Sequence, residues 1–249
     1  MECWTLLTWM AARYPGPMLG TVVMCNSFRN PSLLAKMSAS LQHMSSGRLI
    51  LGDGAGWYEE EYRSYGFDYP SAGIRIDMFK EGVEIIRRMW KDSPADFVGA
   101  HYRVENVFCE PRPDPHPIRM LGAGGEKRTL KNVAEQADRR NEVMRPTKEL
   151  KHKLDVLENH CTEVGRNYDE IRKTLAPRFF INSSNKKAKE MAGGKKSSGQ
   201  VIAGDPSAVR EQLDELVELG FDFVVATFPR FQELDDMKLF VNEVMPYFE

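Results

Sequence analysis

Residues 117–138, PIRMLGAGGEKRTLKNVAEQAD, predict a strand, a glycine loop and a helix in immediate succession. The apolar run 118–121 is too short for a helix and follows a proline, which is typical of a buried strand. The helix behind the loop has an apolar face made of Leu130, Val133, Ala134 and Ala137. This order of elements indicates a strand that feeds a loop at its carboxyl end.

The loop between this strand and helix consists of Gly122, Ala123, Gly124 and Gly125. Glycine allows close approach of the backbone, and the free N–H groups and dipole of a helix N-terminus favour an anion. The loop can therefore bind a phosphate, with Lys127 and Arg128 as added positive charge. An ordinary strand-to-helix turn, which needs glycine only for its dihedral angles, explains these residues equally well.

The composition, with 42% hydrophobic and 28% charged residues in a chain of 249, is that of an ordinary globular protein. We expect one domain over residues 1–249. A net charge of −2 without a basic block argues against a nucleic-acid partner. Neither a signal peptide nor a membrane-length apolar run is visible, and no membrane partner is expected. The scattered cysteines and histidines predict no metal site and a reducing, cytoplasmic location.

Strand, loop and helix alternate along the chain, which predicts a parallel sheet covered by helices, an α/β fold. The six predicted strands are 18–25, 48–52, 118–121, a segment near 140, 174–181 and 221–228. The main predicted helices are 2–14, one that begins after Asn30, 74–90, 147–164, one that begins after Asp205, and 234–248. A hairpin is expected within 95–113, and a polar, flexible insertion at about 182–200.

Three runs in this order resemble the luciferase-like monooxygenase superfamily: GRLILGDGAGWYEEEYRSYGFDYPSAGIRIDMFKEGVEIIRRMW at 47–90, FVGAHYRVENVFCEPRPDPHP at 97–117 and LGAGGEKRTLKNVAEQAD at 121–138. Together they are most similar to the branch that uses the 5-deazaflavin coenzyme F420. The runs VVMCNSFRNPSLLAKM at 22–37 and GDPSAVREQLDELVELGFDFVV at 204–225 fit the same family.

The resemblance implies a TIM-barrel-like (β/α) fold with the cofactor at the carboxyl ends of the strands. In the family, a strand, a helix and a second strand precede the helix that matches residues 2–14. We therefore expect an incomplete barrel, with about six parallel strands of eight, in a fragment or a divergent copy. The family places its acid and base residues on the preceding strands, so no catalytic residue is assigned here.

The resemblance also implies a set of cofactor-binding residues. A non-proline cis peptide at about Cys25-Asn26 is expected to support the ring, Gly52, Gly54 and Gly56 to line it, and the loop 122–125 with Thr129 to hold the phosphate. The alternatives are a core thiol at Cys25, a turn cap at Asn26 and a tight turn at the glycines. Trp57 and Tyr58 fit either packing or a substrate wall.

The function that the resemblance implies is hydride transfer between F420 and an unidentified organic substrate. An FMN-dependent luciferase-like monooxygenase and a non-catalytic, cofactor-binding or structural homologue are the alternatives. Asp53, where the family has a small apolar residue, is expected near the ring, and Arg139 and Arg140 place two charges in a buried strand. A homodimer is expected, because the apolar helix 2–14 with Trp4 and Trp9 needs covering.

Overall fold

The computed structural model describes residues 1–193, 201–230 and 233–248. The chain divides into two compact units, Met1–Arg139 and Arg140–Glu249. Each unit combines parallel strands with helices, which confirms the predicted α/β class. None of the helices within the described ranges is both long and apolar enough to cross a membrane.

The described elements of the first unit include six short β-strands and five α-helices. The strands are β1 (Leu19–Gly20), β2 (Met24–Cys25), β3 (Leu49–Gly54), β4 (Ala95–Val98), β5 (Arg103–Val107) and β6 (Ile118–Gly122). The helices are α1 (Cys3–Arg13), α2 (Pro31–Met44), α3 (Glu59–Ser64), α4 (Ala72–Lys91) and α5 (Thr129–Gln136). The predicted helices 2–14 and 74–90 are therefore confirmed to within two residues at each end.

Strand β3 is the centre of the parallel sheet in this unit. It pairs with β1 and β2 on one side and with β6 on the other. The predicted strand 18–25 is interrupted between β1 and β2, where the Thr21 hydroxyl donates to the carbonyl of Gly52 at 2.8 Å. A Cβ at Gly52 would overlap the carbonyl oxygen of Thr21, so the glycine lets this segment cross close to β3.

The predicted hairpin is formed by β4 and β5, which pair antiparallel. Its tip is fixed to α4 by the carboxylate of Glu81, which accepts the backbone N–H groups of Ala100, His101 and Tyr102 at 2.8–3.0 Å. Three donors on one carboxylate connect the hairpin tip firmly to the helix.

A hydrophobic core joins β1 and β3 to α1, α2 and α4 and includes Leu7, Leu34, Leu51 and Ile86. Trp90 lies within it and donates from its indole nitrogen to the Ala35 carbonyl at 3.0 Å. Trp4 also belongs to this core. The expectation that Trp4 needs an external partner was therefore wrong, whereas Trp9 remains 58% exposed.

The second unit contains the remaining elements. The strands are β7 (Arg139–Val143), which begins at the boundary, β8 (Arg172–Ala176), β9 (Arg178–Ile181), β10 (Val201–Gly204) and β11 (Phe223–Val224). The helices are α6 (Thr147–Val164), α7 (Asn185–Met191), α8 (Pro206–Glu218) and α9 (Asp235–Leu239). Strand β11 pairs with β8, and β10 with β9, both in parallel.

Several predicted boundaries in this unit were wrong. The strand 174–181 is divided at Pro177, which cannot donate to a ladder, and the strand β10 was not predicted. The final helix is regular only over α9 and continues as a π-helix and a 3-10 turn. Within the predicted flexible insertion, α7 buries Ala188. Residues 194–200 of that insertion lie outside the described part of the chain.

Strand β7 contains the two arginines that the sequence places in a buried strand. Arg140 is fully buried, and its guanidinium donates to the Glu142 carboxylate at 2.5 Å. Glu142 also accepts from Arg145 at 3.2 Å. Burial lowers the pKa of Arg140, and Glu142 opposes that shift. The expected buried charge is thus present and paired, because residues two apart in a strand share a face.

Candidate functional site

The carboxyl ends of three parallel strands bring most of the predicted residues together. Cys25 at the end of β2 is in register with Gly54 of β3, which is in register with Gly122 of β6. Neighbouring strands lie about 4.8 Å apart, so the three residues form one short row. Gly56 follows in the loop after β3 and contacts this row, because a Cβ there would lie 2.5 Å from the Cys25 sulfur. Gly52 lies deeper in β3.

Val23 fills the space in front of the two glycines of this row. A Cβ at Gly54 would lie 2.9 Å from Val23 Cγ2, and one at Gly122 would lie 2.8 Å from the same atom. The non-proline cis peptide is at Val22-Val23. Its predicted position at Cys25-Asn26 was therefore wrong by three residues. Val23, Gly54 and Gly122 form a surface, called here the glycine floor, with no bulky side chain other than that of Val23.

The glycine loop connects the glycine floor to α5. Ala123 is buried, whereas Gly124 and Gly125 are exposed. Thr129, the first residue of α5, accepts the N–H of Gly125 at 2.9 Å and donates to its carbonyl at 2.7 Å. Both hydrogen-bonding functions of the hydroxyl are thus used within the loop. Thr129 consequently holds the exposed loop in its conformation.

The two cations next to this loop have different surroundings. Arg128 forms an ion pair with Asp77 of α4 and donates to the Gly73 carbonyl at 3.3 Å. Its charge is therefore directed to α4 in this structure. Lys127 is exposed at the start of α5, where the helix dipole and a nearby cation both favour an anion.

Cys25 belongs to a short hydrogen-bonded chain at the edge of the site. Its sulfur lies 2.9 Å from the Tyr62 hydroxyl, which also donates to Ser27 Oγ at 2.9 Å. Burial raises the pKa of the Cys25 thiol and of the Tyr62 hydroxyl. Both groups therefore keep their protons at neutral pH and act as hydrogen-bond donors.

Asn26 is a buried residue that connects the row to α4 and the hairpin. Its amide donates to the Tyr102 hydroxyl at 3.2 Å. Its other side-chain atoms lie against Gly82 of α4, where a Cβ would overlap the amide oxygen. The contacts place Asn26 behind Cys25 as a support for the strand end.

Asp53 is 1% exposed and lies on the other face of β3 from the glycine floor. Side chains alternate along a strand, so Asp53 shares its face with Leu49 and Leu51, which belong to the core formed with the helices. Its carboxylate therefore points into that core, away from the glycine floor. One oxygen accepts the Gly54 N–H at 2.9 Å, and the other has no partner among the described residues.

Burial raises the pKa of Asp53 to about 8, against the opposing effects of the Gly54 N–H and the Arg29 charge. The carboxyl group is therefore largely protonated at pH 7. A neutral carboxyl avoids the large free-energy penalty of an isolated buried charge.

Sequence reasoning missed Ser27, Tyr62 and Tyr102 as parts of the site. Tyr62 is 37 residues from Cys25, and Tyr102 is 76 residues from Asn26. No periodicity or motif connects positions so far apart. The signal that was available is local: Gly56 and Gly82, small residues inside otherwise well-packed segments, mark the places where Tyr62 and Asn26 approach the backbone.

A sequence model of the luciferase-like monooxygenase family matches residues 1–203. The curated relatives include an F420-dependent glucose-6-phosphate dehydrogenase of Amycolatopsis mediterranei. It is 24% identical over an alignment that covers 96% of this chain and 83% of the relative. These relatives are enzymes, and their names include both F420-dependent dehydrogenases and a pyrimidine monooxygenase.

Several solved structures match the whole chain, among them the following two. One is an F420-dependent secondary alcohol dehydrogenase in complex with an F420-acetone adduct, with a TM-score of 0.88 and 19% sequence identity. The match covers 84% of that chain. Monooxygenase RslO1 from Streptomyces bottropensis has a TM-score of 0.83 at 21% identity and is covered to 83%. Likeness at this level of identity shows the fold, and it confirms the predicted TIM-barrel-like (β/α) class.

Proposed function

The chain belongs to the luciferase-like monooxygenase family, and on this premise we propose that it is an F420-dependent oxidoreductase that acts on an organic substrate. The observation that carries the proposal is the exposed glycine loop that opens α5 directly beside the glycine floor. A flat surface next to a phosphate-binding loop is what a ring cofactor with a phosphorylated side chain requires. F420-dependent relatives support the choice of cofactor.

The residues present fit this cofactor in shape. The Val23 side chain lies over Gly54 and Gly122, which have no side chains of their own, and it supplies the apolar contact for the ring. Bound F420 would supply a hydride acceptor or donor, while the substrate loses or gains the same hydride together with a proton.

The chain's own groups have three roles in this proposal. The exposed loop that opens α5, with the dipole of that helix and the exposed Lys127 ammonium, binds the phosphate. Thr129 holds the loop in that conformation through its two bonds to Gly125. The protonated Cys25 thiol and Tyr62 hydroxyl hydrogen-bond to each other and to Ser27, and so fix the strand end at the edge of the glycine floor.

Titration of the purified chain with F420 and separately with FMN, followed by cofactor fluorescence, tests the proposal. We expect micromolar binding of F420 that weakens at least tenfold in Gly124→Asp, since a carboxylate then occupies the phosphate position. Gly16→Asp is the matched control, because a side chain at Gly16 meets nothing within 4 Å. This variant should bind F420 as the unchanged protein does.

The other outcomes of these titrations distinguish between the alternative functions. Binding of FMN in place of F420 indicates the FMN-dependent monooxygenase. F420 that binds but is never reduced by any organic donor indicates a non-catalytic homologue. Absence of binding by either cofactor refutes the proposed function.

A further inference from the structure

Two aromatic side chains project from the loop that follows β3, at the edge of the candidate site. Trp57 is 80% exposed and Tyr58 is 46% exposed. Their ring centroids are 5.3 Å apart at an interplanar angle of 42°. We call this pair the aromatic platform. Contiguous exposed apolar surface is a candidate binding site, whereas single exposed apolar residues are ordinary.

The platform rests on an ordered support. Tyr69 donates from its hydroxyl to the Trp57 carbonyl at 3.0 Å. Arg75 is buried, donates to the Gly56 carbonyl at 3.3 Å, and lies 4.0 Å from the centroid of the Tyr69 ring. The backbone under the exposed rings is thus fixed by a buried cation and a stacked tyrosine. A fixed backbone lowers the entropic cost of binding a ligand on these rings.

The charges beside the platform disfavour a phosphorylated ligand. Glu59, Glu60 and Glu61 follow the two rings directly in the chain. Arg63 is paired with Glu59 at 2.5 Å, and Arg75 is committed to backbone carbonyls. The Glu60 carboxylate accepts the Tyr58 hydroxyl at 2.6 Å. A phosphate on the platform would therefore lie near a carboxylate, with the nearby guanidinium groups already engaged.

We propose that the substrate is an uncharged, planar aromatic molecule that stacks on Trp57 and Tyr58, and not a phosphorylated sugar. The claim that this aromatic molecule is the substrate rests on the proposed function, whereas the claim that it binds to the aromatic platform does not. The loop after β3 joins the platform to the glycine floor through only Ala55 and Gly56. A molecule on the platform is thus placed beside the position proposed for the cofactor ring.

Calorimetric titration with naphthalen-2-ol, decahydronaphthalen-2-ol and glucose 6-phosphate, each without cofactor, tests the proposal. The first two probes have the same carbon skeleton, but only the first is planar and aromatic. We expect naphthalen-2-ol to bind at least tenfold more tightly than the other two. Trp57→Ala should weaken that binding by on the order of tenfold, the usual effect of removing one stacking partner. Trp57→Phe, which keeps a ring, should retain most of the affinity.

Trp9→Ala is the matched control, because Trp9 is also an exposed tryptophan of this unit but lies on α1. It should leave the naphthalen-2-ol affinity unchanged. Equal binding of the saturated probe, or undiminished binding in Trp57→Ala, overturns the proposal. A change of oligomeric state in Trp57→Ala, seen by light scattering, also overturns it and assigns the platform to a protein contact.

The F420 titration of the same preparations separates the two hypotheses. F420 binding without naphthalen-2-ol binding overturns the substrate class alone. Naphthalen-2-ol binding without binding of either cofactor supports the platform as an aromatic site and refutes the proposed function.

Discussion

Replacement of Asp53 by asparagine is expected to stabilise the protein at neutral pH and to remove a pH dependence of its unfolding. Asp53 is buried, and its pKa in the folded protein is about 8, compared with 3.8 for an unperturbed aspartate. In the unfolded chain the carboxyl ionises above pH 4, whereas the folded protein must keep it protonated. Folding therefore binds a proton at this site between these pH values, and stability falls as the pH rises through that window.

The magnitude follows from the distance between the two pKa values. Between pH 3.8 and about 8, each pH unit lowers the free energy of unfolding by about 1.4 kcal/mol. At pH 7 the total loss is therefore about 4 kcal/mol. Asparagine avoids this cost because it does not ionise. Its amide oxygen can still accept the Gly54 N–H that Asp53 accepts at 2.9 Å. The stability difference between Asp53→Asn and the unchanged protein should thus grow by about 3 kcal/mol from pH 5 to pH 7.

Urea unfolding at half-unit steps from pH 5 to pH 8.5, followed by circular dichroism, measures this difference. Asp68→Asn makes the same chemical change at an exposed position and should give a small difference that is constant with pH. A difference for Asp53→Asn that stays constant from pH 5 to pH 8 would refute the reasoning, since Asp53 would then ionise as easily in the folded state as in the unfolded one.

Two further substitutions test the packing of the site and of β7. Gly122→Ala places a Cβ 2.8 Å from Val23 Cγ2 and should destabilise the protein by about 1–3 kcal/mol in thermal unfolding. It should also weaken F420 binding in the cofactor titration. The control Gly16→Ala should change neither the stability nor the F420 affinity. Glu142→Gln leaves the buried guanidinium of Arg140 without its carboxylate and should destabilise the protein by about 3–5 kcal/mol in urea unfolding.

The control for the Glu142 variant is Glu105→Gln, which breaks an exposed ion pair with Arg103 at 3.3 Å. Exposed pairs contribute about 0–1 kcal/mol, so this variant should unfold at nearly the same urea concentration. An equally small effect of Glu142→Gln would show that Arg140 is not held in a dry environment. Unchanged stability of Gly122→Ala would show that Val23 has room to move away.

Local patterns were sufficient to predict much of the fold. The periodicity of 147–164 and the glycine after it predicted α6 to the residue, and Gly165 has the left-handed conformation of a helix end, with φ of 70°. Strand β6 and the helix after the glycine loop were also predicted from a short apolar run followed by glycines. These elements depend on near neighbours, which the sequence displays directly.

Features that depend on distant partners could not be predicted. Strand β10 has only four residues, and it pairs with β9 across an intervening helix. The Cys25–Tyr62–Ser27 chain joins residues from different elements. Arg140 is an instructive exception: Glu142, its partner, lies two residues further along the same strand. The alternation rule could have predicted this pairing, but only after 139–143 was accepted as a strand.

The contact of Val23 with Gly54 and Gly122 makes these three positions share a single volume. A methyl group gained at position 122 can be accommodated if two are lost at position 23, so Val23→Ala is expected to rescue Gly122→Ala. Mutations within one contact are generally non-additive. Variation at any one of these three positions is thus permitted or forbidden by the residues present at the other two, and they have to be redesigned as a set.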